Sequence, residues 1–425
     1  MSVAPSFEQD MLVSHLSRAI AHATVSGSGA DVFSGFHQLL SQLFPALFSA
    51  CQKRVMPEGA LLLKLPGESA VRPLVFCAHM DVVAVHNRAH WRFDPFAATV
   101  ENGYLYGRGA ADMKSHLICL LYAAEQLLQN GWVPKNDIWF ALSCDEEVRG
   151  GSMQRMAHIL QTEGVQPAFV LDEGGFVSAP FSIQQQPAAM VGTGENGILL
   201  FTLTCDDENG MEKLTRAAAR LSRLSPRPRV PEPLKHLLGN MTPLLGRGDA
   251  LLVKQLPLSA PLLLRRLRKG GVGRAMTQTR LWMKSMHGER QGGGRPALCY
   301  QASIPHGDSA EVLLMKIHRR IRRLNIRLHI DHCDEPSRLS PDRGEAYDAL
   351  ETAIRVHFPG LLALPGPIAG GTDARRFEGI CRNIYRFSPF QMSMEDLSRI
   401  HQTDERVRVE DLQAAASFFS QMLQA

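Results

Sequence analysis

The segment from residue 73 to residue 83 reads PLVFCAHMDVV, an apolar run that ends in a histidine and an aspartate. A helix-like stretch, HLICLLYAAEQLL at 116–128, follows it, and a second apolar run, DIWFALSCDEE at 137–147, comes next. Short apolar runs that alternate with helical segments are typical of buried strands in a parallel sheet. We therefore predict an α/β fold in which a mostly parallel sheet is flanked by helices.

The pattern changes in the middle of the chain. Residues 193–332 read as a compact set of strands and helices, interrupted at 225–275 by a stretch rich in Pro, Leu and Arg. Before and after this region, helices alternate with buried strands. We predict a catalytic domain split into two parts, 1–192 and 333–425, by an inserted α+β domain that serves as a lid or dimerisation domain.

The composition excludes several classes of protein. A chain of 425 residues with 45% hydrophobic and 21% charged residues is typical of a globular protein with two domains. The net charge of +4 is too small to favour nucleic-acid binding. No signal peptide or membrane-spanning run is recognisable, so no membrane partner is expected. Eight scattered cysteines without a CxxC pair favour a cytoplasmic protein with reduced thiols.

Polar residues follow the predicted strands, where α/β folds place ligand sites. His79 and Asp81 are two residues apart, so both point the same way from an extended chain, and the carboxylate could hold the ring nitrogen that a metal leaves free. Asp112 in LYGRGAADMK precedes a helix. It is either a helix cap or a ligand whose two oxygens bridge a pair of cations.

Further acids and a second histidine occupy similar positions. They are Asp145, Glu146 and Glu147 of SCDEEVRGG, Asp172 and Glu173 of FVLDEGG, and His401 of IHQTDERV. Each has an ordinary alternative, such as a solvated turn or a surface histidine. However, adjacent acids near a core repel one another unless cations neutralise them. Two imidazoles with several carboxylates form the ligand set that two borderline divalent ions prefer.

The order of these motifs, together with GGTDARRF at 370–377 and IYRFSPF at 384–390, resembles the M20 metallopeptidases, closest to the carboxypeptidase S and aminoacylase-like branch. The resemblance implies an amidohydrolase that cuts an amide bond beside a free carboxylate in small peptides or N-acyl amino acids. It also implies two divalent ions, with zinc expected and cobalt or manganese as alternatives. A desuccinylase-like biosynthetic role is a further alternative.

The resemblance assigns roles to individual residues. The implied metal ligands are His79, Asp112, Glu147, His401 and one acid of the LDEGG turn, where Asp172 is preferred and Glu173 is the alternative. Glu146 would be the general base that takes a proton from the attacking water. Asp81 would orient His79, and the Asp112–Met113 peptide would be cis.

Substrate and partner contacts also follow from the resemblance. Gly371, Thr372 and Arg375 would lie near the substrate carboxylate, because guanidinium groups bind carboxylates bidentately. A structural ion pair is an equally weighted alternative for Arg375. The basic stretch at 265–274 either attracts acidic substrates or is a solvated loop. Because family members often dimerise through the inserted domain, a homodimer is expected.

The inserted domain departs from the family pattern. The lid histidine, asparagine and arginine of the family would fall at Met211, near Arg290 and near Ser303. Losing one oxyanion donor typically lowers the rate by about 10²–10³. The chain is thus either a weakened or non-catalytic metal-binding protein, or other groups replace the lid residues. The candidates for replacement are His287, Arg290 and His306.

Overall fold

The computed structural model describes residues 8–206, 209–224, 226–288 and 295–425. The strands in these ranges are β1 (Gln52–Val55), β2 (Leu61–Leu65), β3 (Ser69–His79), β4 (Thr99–Glu101), β5 (Tyr104–Tyr106), β6 (Asn136–Ser143), β7 (Phe169–Asp172), β8 (Val177–Ser178), β9 (Ala188–Glu195), β10 (Gly197–Thr204), β11 (Arg280–His287), β12 (Ala297–Ile304), β13 (Arg327–Asp334), β14 (Ala363–Ile368), β15 (Ile384–Arg386) and β16 (Arg406–Arg408). The helices are α1 (Gln9–Ala21), α2 (Ala30–Leu43), α3 (Pro45–Ala50), α4 (Lys114–Gln129), α5 (Ser152–Thr162), α6 (Gly210–Leu221), α7 (Glu232–Asn240), α8 (Arg247–Lys254), α9 (Ala260–Leu267), α10 (Gly271–Thr277), α11 (Ala310–Ile321), α12 (Glu345–His357), α13 (Met394–Arg399) and α14 (Asp411–Leu423). None of the helices in the described ranges combines the length and the apolar character needed to cross a membrane.

The large sheet has its parallel strands at the centre. Its strand order is β1-β2-β6-β3-β7-β15-β9-β14, with β8 paired to β9. β3 runs parallel to β6 and β7, and β7 runs parallel to β15. The apolar runs of β3, β6 and β7 are buried, as expected of parallel strands covered on both faces. The predicted α/β fold is confirmed, and these strands end at one common edge.

A buried lysine holds the N-terminal helices against the sheet-covering helix α4. Lys114, the first residue of α4, donates hydrogen bonds to the carbonyls of Ala19 and His22, both at 2.8 Å. Its ammonium group lies 5.0 Å from the centre of the Phe36 ring, a favourable cation–π distance. Burial lowers the pKa of Lys114 to about 7. The lysine therefore joins α1, α2 and α4 two residues after Asp112.

Strands β10 to β13 form a second, smaller sheet in the order β11-β12-β10-β13. All of its pairs are antiparallel. Helices α6 and α11 pack on one face, and the rings of Phe201 and Tyr300 stack at a centroid distance of 5.2 Å in the shared core. Only Asn196 separates the end of β9 in the large sheet from the start of β10, so the smaller unit is joined directly to the large sheet.

Helices α7 to α10 lie within the predicted inserted segment 193–332 but pack against the large sheet. Their apolar side chains share a core with Ala188 of β9 and Leu364 of β14, both in the large sheet. Leu237 of α7 approaches Gly366 so closely that a Cβ there would lie 2.8 Å from its methyl group. The Pro-, Leu- and Arg-rich stretch therefore extends the core beside the large sheet, because its leucines find apolar partners there.

Candidate active site

The predicted metal ligands and the predicted general base lie together at the carboxyl ends of the parallel strands. His79 is the last residue of β3, Glu146 and Glu147 follow β6, and Glu173 follows β7. Parallel strands that are neighbours in a sheet bring the residues after them to the same edge. Asp112 reaches this edge from the loop before α4, through an Asp112–Met113 peptide that is cis, as predicted.

Two clusters of side chains share Asp112. In the first, His79 Nε2 lies 2.9 Å from Asp112 Oδ1 and 3.3 Å from Glu173 Oε1. In the second, His401 Nε2 lies 2.9 Å from Asp112 Oδ2 and 2.9 Å from Glu147 Oε2. Each imidazole nitrogen therefore faces two carboxylate oxygens, and each oxygen of Asp112 belongs to a different cluster.

Asp81 holds both His79 and the loop after β6. The backbone carbonyl of Asp81 lies 2.9 Å from His79 Nδ1, and its Oδ1 lies 3.5 Å from the same nitrogen. The Asp81 carboxylate also accepts hydrogen bonds from the Ser26 hydroxyl at 2.6 Å and from the backbone N–H groups of Glu146 and Glu147 at 3.2 and 3.3 Å. One buried carboxylate thus positions members of both clusters.

The electrostatics of the clusters fit the binding of cations. Burial lowers the pKa of His79, but Glu173, Asp112 and Asp81 outweigh it and hold the pKa well above the usual value. Burial likewise lowers the pKa of His401, yet Asp112 and Glu147 raise it to about 11. Burial raises the pKa of Glu173, and the nearby Asp112 carboxylate adds to this effect. Positive charge is therefore favoured at both positions.

The donor chemistry supports the same conclusion. Glu147 Oε1 is buried and forms no hydrogen bond within the described part of the chain. A buried carboxylate oxygen without a partner is costly unless a cation or water satisfies it. Each cluster offers one imidazole nitrogen and two carboxylate oxygens, and the two clusters share Asp112. Such ligands suit a pair of borderline divalent ions. The residues present therefore fit a dinuclear metal centre.

The preference for Asp172 as a ligand needs correction. Its Oδ1 accepts the backbone N–H of Glu173 and its Oδ2 accepts that of Ala374, both at 2.9 Å. Burial raises the pKa of Asp172 to about 6. Its carboxylate therefore ties β7 to the GGTDARRF segment, and the alternative residue, Glu173, is the acid that lies beside His79. Asp145 is also occupied elsewhere, since it accepts the backbone N–H of Ser152 at 3.3 Å.

The GGTDARRF residues contact protein groups. Thr372 donates its backbone N–H and its hydroxyl to Glu195 at 2.9 and 3.0 Å, and Gly371 lies beside the same carboxylate. The Arg375 guanidinium lies 3.6 Å from Glu195 and 3.7 Å from Asp334. It also donates to the backbone carbonyls of Asn196 and Glu335. For Arg375, the contacts favour the structural alternative over the substrate clamp.

Glu195 and Arg386 form a fully buried ion pair that the motif reasoning missed. Arg386 Nε donates to Glu195 Oε1 at 2.6 Å, and both side chains have 1% exposure or less. The pair joins β9 to β15 across the large sheet. In the sequence, Arg386 is an arginine within IYRFSPF and Glu195 is a glutamate at the end of an apolar stretch. Nothing in either local pattern indicates that the two residues pair.

Replacing Glu195 with Gln is expected to lower the free energy of unfolding by about 3–5 kcal/mol, because Arg386 would remain buried without a counter-charge. Urea unfolding of the metal-free protein, followed by circular dichroism, measures this change. Glu212→Gln is the matched control, since Glu212 pairs with Arg216 on an exposed helix surface and should change stability by less than about 1 kcal/mol. Equal effects of the two changes would contradict the prediction.

Glu405 and Arg108 were also missed, although both lie in quoted motifs. Glu405 accepts the backbone N–H groups of Ala111 and Asp112 at 2.9 and 3.1 Å. Its other oxygen accepts a hydrogen bond from Arg108 at 2.6 Å, and both side chains are almost fully buried. Glu405 therefore fixes the loop that carries Asp112, four residues after His401 in the chain.

The structure describes two of the three suggested lid replacements, His287 and His306. Met211 is exposed on α6, and Arg290 lies outside the described residues. Ser303 accepts a hydrogen bond from Asn196. His287 is exposed at the end of β11, 3.0 Å from the Ser285 hydroxyl, whereas His306 is buried with its Nε2 3.0 Å from the Ser337 carbonyl. Within the described residues, neither histidine belongs to the two clusters.

The fold and the site define a class of enzyme: a hydrolase whose centre is built from histidines and carboxylates at the edge of an α/β sheet, beside an inserted α+β unit. Residues 75–425 match the family described as Peptidase family M20/M25/M40, and the chain belongs to this family. The resemblance inferred from the motifs is therefore confirmed, and the protein is an M20-family hydrolase.

Relatives in sequence agree with this assignment, and a solved structure shares the fold. N-fatty-acyl-amino acid synthase/hydrolase PM20D1 of Mus musculus is 28% identical over 422 residues, covering 93% of this chain and 83% of that protein. Probable carboxypeptidase S-like 2 of Dictyostelium discoideum is 24% identical over 442 residues, covering 97% and 84%. The M20 family metallo-carboxypeptidase Sso-CP2 of Sulfolobus solfataricus has the same fold, with a TM-score of 0.71, 16% identity and coverage of 97% and 98%.

Proposed function

We propose that the protein is a dinuclear metal-dependent amidohydrolase that cleaves N-acyl amino acids, and small peptides, beside a free carboxylate. The observation that carries this proposal is the pair of histidine–carboxylate clusters that share Asp112. The similarity to a mouse protein named as an N-fatty-acyl-amino acid synthase/hydrolase supports the N-acyl amino acid as the first substrate class to test.

In this proposal His79, Asp112 and Glu173 hold one ion, and Asp112, Glu147 and His401 hold the other. When bound, such ions polarise the scissile carbonyl and make water acidic enough to ionise near neutral pH. Zinc is the expected metal, with cobalt or manganese as alternatives. Asp81 keeps His79 in the tautomer whose Nε2 is free, because the backbone carbonyl of Asp81 accepts a hydrogen bond from Nδ1–H.

Glu146 is the proposed general base. Its backbone N–H is held by Asp81, and its side chain lines a cleft together with Thr372 and Asp373. Burial raises the pKa of Glu146 well above its usual value, which suits a carboxylate that accepts a proton and later releases it. In the proposed reaction, Glu146 takes a proton from the attacking water and delivers it to the leaving amine.

Chelation of the purified protein is expected to abolish hydrolysis of N-acyl amino acids, and one of zinc, cobalt or manganese should restore it, because the bound ions would polarise the scissile carbonyl and acidify the attacking water. Release of free amine from a panel of N-acetyl to N-oleoyl amino acids, dipeptides and N-succinyl amino acids measures the activity. Full activity after exhaustive chelation would contradict the proposal, as would a metal-loaded protein that cleaves no member of the panel.

One observation favours a second candidate, a metal-binding protein with little catalysis. By the motif resemblance, Met211 falls where the family carries its lid histidine, and methionine cannot stabilise an oxyanion as a hydrogen-bond donor. If the wild-type protein binds metal but is inactive, and Met211→His gives no gain in rate, the binding role is favoured. A homodimer through the inserted domain and a cytoplasmic location remain predictions.

A further inference from the structure

Three arginines line a cleft beside the candidate metal centre. The cleft is bordered by Glu146, Arg149, Ile198, Thr372, Arg375 and Arg376. Ile198 comes from the first strand of the inserted unit, and the other residues come from loops at the edge of the large sheet. The carboxylates of Asp334 and Asp373 line the same cleft, so a substrate whose scissile amide lies near Glu146 places its neighbouring groups among charges of both signs.

Two of the three guanidinium groups are already neutralised. Arg376 binds Asp334 bidentately, with N–O distances of 3.0 and 3.1 Å. Arg375 lies between Glu195 and Asp334 and also donates to two backbone carbonyls. His332 Nε2 also lies 2.8 Å from Asp334 Oδ2, so the Asp334 carboxylate has several partners within the protein. Neither arginine has a free set of donors for a ligand.

Arg149 is different. It is half-buried, yet its guanidinium forms no hydrogen bond or ion pair with any residue that the structure describes. Arg149 lines the cleft together with the carboxylates of Glu146 and Asp334. A partly desolvated cation with unused donors gains free energy when an anion reaches it. The cleft thus contains one arginine that is available to a ligand.

The backbone at Arg149 strengthens this view. Its φ of 55° lies in the left-handed region, which disfavours residues with a side chain, and its backbone N–H closes the turn onto the Glu146 carbonyl at 2.7 Å. Glycine would adopt this conformation at lower cost, and glycines follow directly at 150 and 151. The chain nevertheless carries an arginine there, on the same short turn as Glu146.

We propose that Arg149 is the specificity-determining residue of the site, and that its guanidinium binds the free carboxylate of the substrate bidentately. The proposal rests on the amidohydrolase function proposed above. In an N-acyl amino acid, only the amide nitrogen and the α-carbon separate the scissile carbonyl from the carboxylate. Glu146 and Arg149 lie on one short turn and line the same cleft, so one small substrate can reach both side chains. Arg375 then stabilises the fold beneath the cleft.

The test compares two substrates on Arg149→Ala: an N-acyl amino acid and its matched N-acyl amino-acid amide, which lacks the negative charge. The kcat/KM for the acid is expected to fall by about 10- to 100-fold, largely through KM, because a charge-assisted hydrogen-bonded pair is lost. The kcat/KM for the amide should change less than about threefold. Arg149→Lys should recover only part of the loss, since lysine restores the charge without the planar fork.

Arg155→Ala is the control, because Arg155 pairs with Glu58 on the exposed surface of the neighbouring helix and should alter neither substrate. Equal losses for acid and amide in Arg149→Ala would assign Arg149 a structural role and overturn the proposal. So would an unchanged kcat/KM for the acid in a metal-loaded, folded variant. Failure of the wild-type protein to cleave any amide would instead overturn the amidohydrolase function, and the clamp with it.

Discussion

Glu146→Gln is expected to lower kcat by about 10²–10⁴-fold while leaving the metal content unchanged. Glutamine keeps the size and hydrogen-bonding shape of the side chain but cannot take a proton from water. Glu146 is in neither of the two clusters that surround Asp112, so the ligand atoms stay in place. Its backbone N–H would still be held by Asp81, which preserves the turn.

The measurement combines kcat at saturating substrate with metal content after gel filtration. Glu163→Gln is a suitable control, because Glu163 is a partly exposed acid that pairs with Arg54 away from the site. Substantial activity in Glu146→Gln with a normal metal content would show that another group is the base. A variant that has lost its metal would show instead that Glu146 is a ligand.

Asp112→Asn is expected to remove most of the bound metal and to reduce hydrolysis below detection. Asp112 is the carboxylate common to both clusters, and each of its oxygens faces a different histidine. An asparagine keeps one oxygen but loses the negative charge, so it cannot serve two cations equally. His79 with Glu173, and His401 with Glu147, are too few ligands for tight binding alone.

Thermal unfolding gives a readout of metal binding that does not depend on activity. Ligands that bind only the folded state stabilise it by mass action, so chelation should lower the Tm of the wild-type protein. The same chelation should leave the Tm of Asp112→Asn nearly unchanged. Asp94→Asn serves as the control, because Asp94 pairs with Arg88 at the surface. A chelation shift in Asp112→Asn equal to that of the wild type would exclude Asp112 as the shared ligand.

The choice between Asp172 and Glu173 illustrates a limit of the sequence. Asp172 is the last residue of β7 and Glu173 is the next one, and neighbouring residues at a strand end point to opposite sides. Which side faces His79 depends on the pairing of β7 with β3, where Phe76 lies opposite Leu171. The backbone N–H of Ala374, which occupies Asp172, comes from a residue 202 positions away in the chain. No local pattern encodes that contact.

The arginines show the same limit from the other direction. Arg375 lies in GGTDARRF, the motif that the resemblance places near the substrate carboxylate. Arg149 lies in SCDEEVRGG, where the sequence pattern drew attention only to the three acids. Whether a guanidinium is free depends on which carboxylates reach it, and the two that reach Arg375, Glu195 and Asp334, are distant from it in sequence. Only packing reveals that Arg375 is occupied and that Arg149 has unused donors.

By itself, the sequence determined the α/β architecture and the core of the candidate site, because short apolar strands followed by His79, Glu146 and Glu147 are local patterns with few structural solutions. The order of the motifs resembled the family. Tertiary structure alone decided which acid joins His79, which arginine is available, and how Glu405 fixes the Asp112 loop through contacts 293 and 294 positions apart in the chain. The physical reason is that metal clusters and ion pairs depend on distances in space, which strand pairing and core packing set over the whole chain.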